Sequence, residues 1–161
     1  MRLAIILFCL IAHSALSAAT LTGKTVRVSD GDTIVILSEG SVQHKIRLQG
    51  IDAPERSQAY GTKSKEHLSD LVAGRFVVVE YDKRDRYGRI VGKVLVGGED
   101  ACLEQVSAGY AWHYKKYQNE QIETDRQRLI ELGQLPAVRE GAMAFLTREY
   151  KVLTIFVIAV A

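Results

Sequence analysis

The feature that most constrains this chain is a series of five short β-type runs with one helical run between the third and the fourth. Val26, Val28, Ile34 and Ile36 alternate with polar neighbours on either side of Asp30-Gly31, the pattern of a hairpin. The third run, Val42 to Ile51, places Ile46 and Leu48 on one face and Arg47 on the other. Thr62 to Ala73 carries Leu68, Leu71 and Val72 at helical spacing, with Gly74 where a helix would stop. Phe76 to Tyr81 and Ile90 to Val96 are the fourth and fifth β runs, joined by the charged connector Asp82 to Arg89. Asp100 is placed to cap a short helix that runs through Ser107 and ends at Gly109, and a further helix covers Ile122 to Leu132. Five short strands with about three helices predict an α+β domain built on a small Greek-key barrel of the OB type.

The ends of the chain read differently from its middle. Arg2 precedes an almost unbroken apolar stretch, Leu3 to Ala12, and small residues follow through Ala19. This is the layout of a cleaved export signal, and the stretch is short for a membrane span. The expected organisation is therefore a signal peptide over 1–19, one domain over 20–132 and a divergent tail over 133–161, with the mature chain exported to the periplasm or beyond. Cys9 would leave with the signal, so Cys102 would remain alone as a buried thiol with no disulfide partner. From Gly133 the pattern changes. The apolar run Val152 to Ala161, preceded by Arg148 and Lys151, fits a core-docking segment better than a membrane anchor, and a shifted reading frame would produce the same abrupt change. The formal charge of +2 over 161 residues does not by itself select a partner.

Charged residues concentrate in three places: Asp30-Gly31-Asp32-Thr33, Arg47 with Ile51-Asp52-Ala53-Pro54-Glu55, and Asp85-Arg86-Tyr87-Gly88-Arg89. Each alone also reads as a turn, a strand exit or a solvated loop. Together they supply what phosphodiester hydrolysis needs. Asp32 and Asp52 offer oxygen ligands for a hard cation. Glu55 offers a base for water. Arg47 and Arg89 offer planar, permanently charged forks for phosphoryl oxygens.

In the same order, Val28-Ser29-Asp30-Gly31-Asp32-Thr33, Ile46-Arg47-Leu48, Ile51-Asp52-Ala53-Pro54-Glu55 and Asp85-Arg86-Tyr87-Gly88-Arg89 resemble the signature segments of the staphylococcal nuclease (thermonuclease) family. The resemblance covers roughly Val26 to Leu132 and implies an OB barrel with packed helices. It implies that Asp32, Asp52 and the backbone carbonyl of Ala53 hold Ca²⁺, that Glu55 activates the attacking water, and that Arg47 and Arg89 grip the phosphate. It further implies that Arg86 and Tyr87 contact the nucleotide, and that Trp112 and Tyr114 stand where the family has a pair of tyrosines. The implied activity is cleavage of DNA and RNA, endo- and exonucleolytic, leaving 3′-phosphates, by a monomer without stable membrane association. Two departures stand out: a shorter loop between Glu55 and the helix at Thr62, and Leu132-Gly133-Gln134-Leu135-Pro136 in place of a Gly-Leu-Trp-like closing anchor.

Two rival readings remain. One is a non-catalytic OB module that binds nucleic acid without cutting it. The other is a membrane-tethered envelope protein, supported only by the two apolar ends. Loss of Arg47 or Glu55 is expected to lower turnover by orders of magnitude with the fold intact, and loss of Asp32 to weaken metal binding.

Overall fold

A computed structural model describes residues 19–135. Strands β1 (Ala19–Asp30) and β2 (Thr33–Ser38) form the expected hairpin about a two-residue turn. Within β1 the inward residues are Gly23 and Thr25, then Val28. The change of phase comes from a bulge at Val26, between the pairs Thr25–Ile36 and Arg27–Val35. A bulge adds one residue to one strand and reverses the alternation beyond it. Val26 is therefore 48% exposed while Val28 is buried, so the two do not share the inner face that simple alternation predicts.

The third run is also interrupted. Strand β3 (Gln43–Leu48) carries Ile46 and Leu48 into the core as expected. It stops before Gly50, whose φ of 77° turns the chain into a separate short strand, β4 (Ile51–Asp52). A Cβ on Gly50 would also lie 2.7 Å from Leu129 Cδ1. Val42, expected inside the strand, precedes it and is exposed.

Helix α1 (Gly61–Val72) buries Ser64, Leu68 and Val72 on one face, and Gly74 with φ of 70° follows its end. Strands β5 (Phe76–Arg84) and β6 (Ile90–Val96) pair antiparallel, and β5 runs three residues beyond Tyr81, into the charged connector. The main sheet runs β3-β2-β1-β5-β6, and β6 returns to pair parallel with β3 at Ile46–Ile90, Arg47–Val91 and Leu48–Gly92. This closes a five-stranded Greek-key barrel of the OB type. Ile34, Ile36, Ile46, Leu48, Val77, Val79, Ile90 and Val94 belong to its core, and each such side chain contributes roughly 1.5–3 kcal/mol by leaving water.

Strand β7 (Glu99–Asp100) folds back to pair antiparallel with the end of β6, and the Asp100 carboxylate caps α2 (Ala101–Ser107) by accepting from the N–H groups of Cys102 and Leu103. Strand β8 (Trp112–His113) pairs with β4. The last helix, α3 (Glu123–Gly133), buries Leu129 alone. It is tied to the barrel by Lys93, whose Nζ lies 3.0 Å from Asp125 and 3.6 Å from Asp100. Cys102 is a buried free thiol, and burial pushes its pKa well up. Among the described residues no helix is long and apolar enough to cross a membrane. The proposed signal, apart from Ala19 at the head of β1, and the tail beyond Leu135 lie outside the described residues.

Candidate active site

The turn between β1 and β2 is held from three sides. Asp30 Oδ1 accepts the Asp32 N–H at 3.2 Å, a local Asx-type bond that shapes the turn. Gly31 packs so closely on α1 and β4 that a Cβ there would lie 1.8 Å from Ser64 Oγ and 2.8 Å from Ala53 Cβ. From α2 the fully buried Gln105 donates Nε2 to the Gly31 carbonyl at 2.7 Å and to the Ser64 carbonyl at 3.2 Å. Its amide oxygen meets His67, which stacks on Tyr110. Sequence reasoning did not single out Gln105. Its signal is a polar residue within the buried set Ala101, Cys102, Gln105 and Val106 of one short helix.

This clamp presents Asp32, which is only 7% exposed. Asp32 accepts from the Thr33 hydroxyl at 2.9 Å and from the Ala53 N–H at 3.1 Å. Arg47 projects from β3 between two core residues and serves both metal-candidate acids. Its Nη1 lies 2.9 Å from Asp32 Oδ2 and donates to the Ile51 carbonyl at 2.9 Å, while Nη2 donates to Asp52 Oδ1 at 2.8 Å. Asp52 takes a further hydrogen bond from the side chain of Trp112, its cross-strand partner.

Two carboxylates, Asp32 and Asp52, thus share one guanidinium, and the charge of Asp30 acts on both. Burial, with Asp30 adding to it, pushes the Asp32 pKa up to about 7 although Arg47 opposes the shift. Burial raises Asp52 in the same way, again against Arg47. An under-neutralised buried acid pair favours a cation. The donors are oxygens without His or Cys, which suits a hard ion such as Ca²⁺ over zinc. Among the described residues no three His, Cys, Asp or Glu side chains are placed to hold one ion, so backbone carbonyls and water would complete the shell.

The raised Asp32 value has a measurable result. In the fold Asp32 keeps its proton up to about pH 7, whereas its ordinary value is 3.8. Between those values the native state binds more protons than the unfolded one, so stability falls as pH rises. Metal-free protein should lose up to roughly 1.4 kcal/mol per pH unit from this group across that window. Urea midpoints in chelator check this. Asp32→Asn should flatten the slope, and an equal slope in that variant would reject the assignment.

Beyond Asp52 opens a cleft of about 400 Å³. Arg47, Asp52, Arg86, Tyr87, Arg89 and Tyr114 all line it. Arg89 is set by a self-locked turn: Asp85 Oδ1 accepts from the Tyr87 and Arg89 N–H groups at 2.9 Å, and Oδ2 accepts Arg89 Nε at 2.7 Å. The Arg86 and Arg89 guanidinium carbons stand 4.7 and 5.5 Å from the centre of the exposed Tyr87 ring.

The other sequence-derived candidates lie outside the cleft lining. Asp32 and Ala53 are buried and joined to each other, and Asp32 reaches the cleft through Arg47. Trp112, which the resemblance pairs with Tyr114, is directed to the Asp52 carboxylate by the β4–β8 register. Glu55 is exposed just after Pro54; its N–H and carbonyl bond to Gln58, and its carboxylate makes no hydrogen bond or ion pair with the described residues.

Residues 45–134 match the family described as staphylococcal nuclease homologue. The match contains every site candidate except Asp32, which the structure joins to the rest through Arg47. The chain is 44% identical over 109 residues to a Haemophilus influenzae protein named "Uncharacterized endonuclease", covering 68% of this chain and 61% of that one. It is 44% identical over 105 residues to an Escherichia coli protein of the same name, covering 65% and 68%. It is 37% identical over 108 residues to the "Micrococcal nuclease" of Shigella flexneri, covering 62% of each. The chain therefore spans about three fifths to two thirds of the length of these curated relatives.

Proposed function

Because this chain belongs to the staphylococcal nuclease family, we propose that it hydrolyses phosphodiester bonds of DNA and RNA in the cleft between Asp52 and Tyr87, with Ca²⁺ as cofactor. The observation that carries the reading is the single guanidinium of Arg47 bound to a buried carboxylate, Asp32, and a half-buried one, Asp52, at one end of a cleft that Arg89 also lines. A nucleic acid substrate suits a cleft so rich in arginine and tyrosine.

Asp32, Asp52 and the Ala53 carbonyl are the residues to hold the ion. When bound, Ca²⁺ polarises a phosphate oxygen as a Lewis acid. Arg47 and Arg89 neutralise charge that grows on the phosphoryl oxygens. Glu55, exposed and without a partner for its carboxylate, is available to take a proton from the attacking water. The bond from phosphorus to the 5′-oxygen breaks, which leaves a 3′-phosphate. Arg86 and Tyr87 contact the nucleotide on one wall and Tyr114 on another, and Trp112 acts through Asp52. Export of the chain as a monomer belongs to the same proposal. The export reading rests on the Arg2, Leu3 to Ala12 and small-residue pattern.

One observation favours the rival, a binding module without catalysis: the Glu55 carboxylate touches none of the other site residues. A single assay separates the two. Purified protein incubated with plasmid DNA or RNA should degrade both in Ca²⁺ and neither in chelator. Intact nucleic acid in both conditions, with retained binding, would establish the module and end the nuclease reading.

A further inference from the structure

The 3₁₀ segment Lys115–Glu120 follows Tyr114 and buries none of its residues. It has no part in the core, yet Lys116, Tyr117 and Glu120 line the same cleft as Arg47 and Arg89. Tyr117 is 46% exposed, and its ring meets Tyr114 edge-on with centroids 5.5 Å apart. The Lys116 ammonium stands 5.5 Å from the centre of the Tyr117 ring. Lys83, near the end of β5, forms an ion pair with Glu120, which ties the segment to the strand leading into the Arg86-Tyr87 turn.

The cleft therefore has two walls of like chemistry. One is Tyr87 with the Arg86 and Arg89 guanidinium groups over it. The other is Tyr117, braced by Tyr114, with Lys116 over it. An aromatic face beside a cation accepts any base while the cation meets the neighbouring phosphate. One nucleotide at the cleavage point needs only one such wall. Exposing a large ring without core contacts costs solvation, which a stacking partner recovers.

We propose that Tyr117 and Lys116 form a second nucleotide subsite, which engages a base and phosphate of a single strand away from the bond being cut. The subsite rests on the nucleic acid reading of the cleft. It makes substrate length a determinant of affinity: a strand of several nucleotides reaches both walls and a dinucleotide occupies one. Glu120 holds Lys83 when the cleft is empty, so Lys116 is the cation of this wall that meets the strand.

The test compares a dinucleotide with a single-stranded oligonucleotide of about eight residues. Tyr117→Ala should raise KM for the longer substrate by about tenfold and leave kcat and dinucleotide cleavage unchanged. Tyr117→Phe, which keeps the ring, should behave as the parent chain. Lys116→Ala should lower the salt dependence of oligonucleotide binding by about one unit of slope. Equal losses at both lengths would make Tyr117 a structural residue and overturn the subsite; no loss at either length would overturn it as well. Fluorescence anisotropy with the labelled oligonucleotide keeps the two readings apart. If the parent chain cuts neither substrate, the nuclease reading fails, while weaker oligonucleotide binding by Tyr117→Ala still supports the wall, and equal binding still removes it.

Discussion

Replacing Arg47 with alanine should lower turnover at least about a hundredfold and also destabilise the metal-free chain by roughly 3 kcal/mol. The first effect follows from losing a donor that stabilises the transition state. The second follows from the structure. The Arg47 side chain is 14% exposed and is the guanidinium that bonds both Asp32 and Asp52. Removing one partner of a buried ion pair leaves the other charge unpaired. The chain can limit that loss by protonating Asp32, whose pKa already stands at about 7, so the destabilisation should shrink below neutral pH. Ca²⁺ should restore part of the stability and none of the turnover. Urea unfolding in chelator and in Ca²⁺, beside turnover on plasmid DNA, reads all three effects. An unchanged midpoint in chelator would show that the pairing contributes nothing; unchanged turnover would remove Arg47 from the chemistry.

Glu55→Gln should also lose turnover but keep its stability. Turnover should fall by about 10² to 10⁴, the usual worth of a positioned base. Stability should stay within about 0.5 kcal/mol of the parent, because the residue is exposed and its carboxylate has no partner to lose. The backbone bonds to Gln58 survive the change. The two variants together separate a residue that holds the site from one that acts in it. A Glu55→Gln chain with parental turnover would assign the base elsewhere, and one with a lowered midpoint would reveal a structural role for the side chain.

Much of the architecture was legible because local chemistry and fold agree. Asp100 and Gly109 bound α2 where a cap and a stop were read, and Gly74 follows α1. Of the five residues the sequence suggests as a set, Asp32, Asp52, Arg47 and Arg89 meet at or beside one cleft, and Glu55 lies outside its lining. What escaped depends on register and on contacts between distant segments. The bulge at Val26 has no residue-level mark, since valine there looks like any strand residue. Gly50 was absorbed into one long strand because β4 is too short to show an alternation of its own. The resemblance sets Trp112 beside Tyr114 where the family has a pair of tyrosines, whereas its pairing with Asp52 decides where the indole goes. Gln105 and Gly31 lie 74 positions apart, and only the packed fold brings the amide to that carbonyl.

The parallel seam between β3 and β6 has a consequence for the life of the molecule. Arg47 lies in one strand of that seam, and Arg89 immediately precedes the other at the Ile46–Ile90 pair. The two guanidinium groups are therefore neighbours only once the ring of strands has closed, after α1 and β5 have both been made. A polypeptide still emerging from the ribosome carries Arg47 and the acids without their counterpart across the seam. The charged cleft is complete only once β6 has been made and has paired with β3.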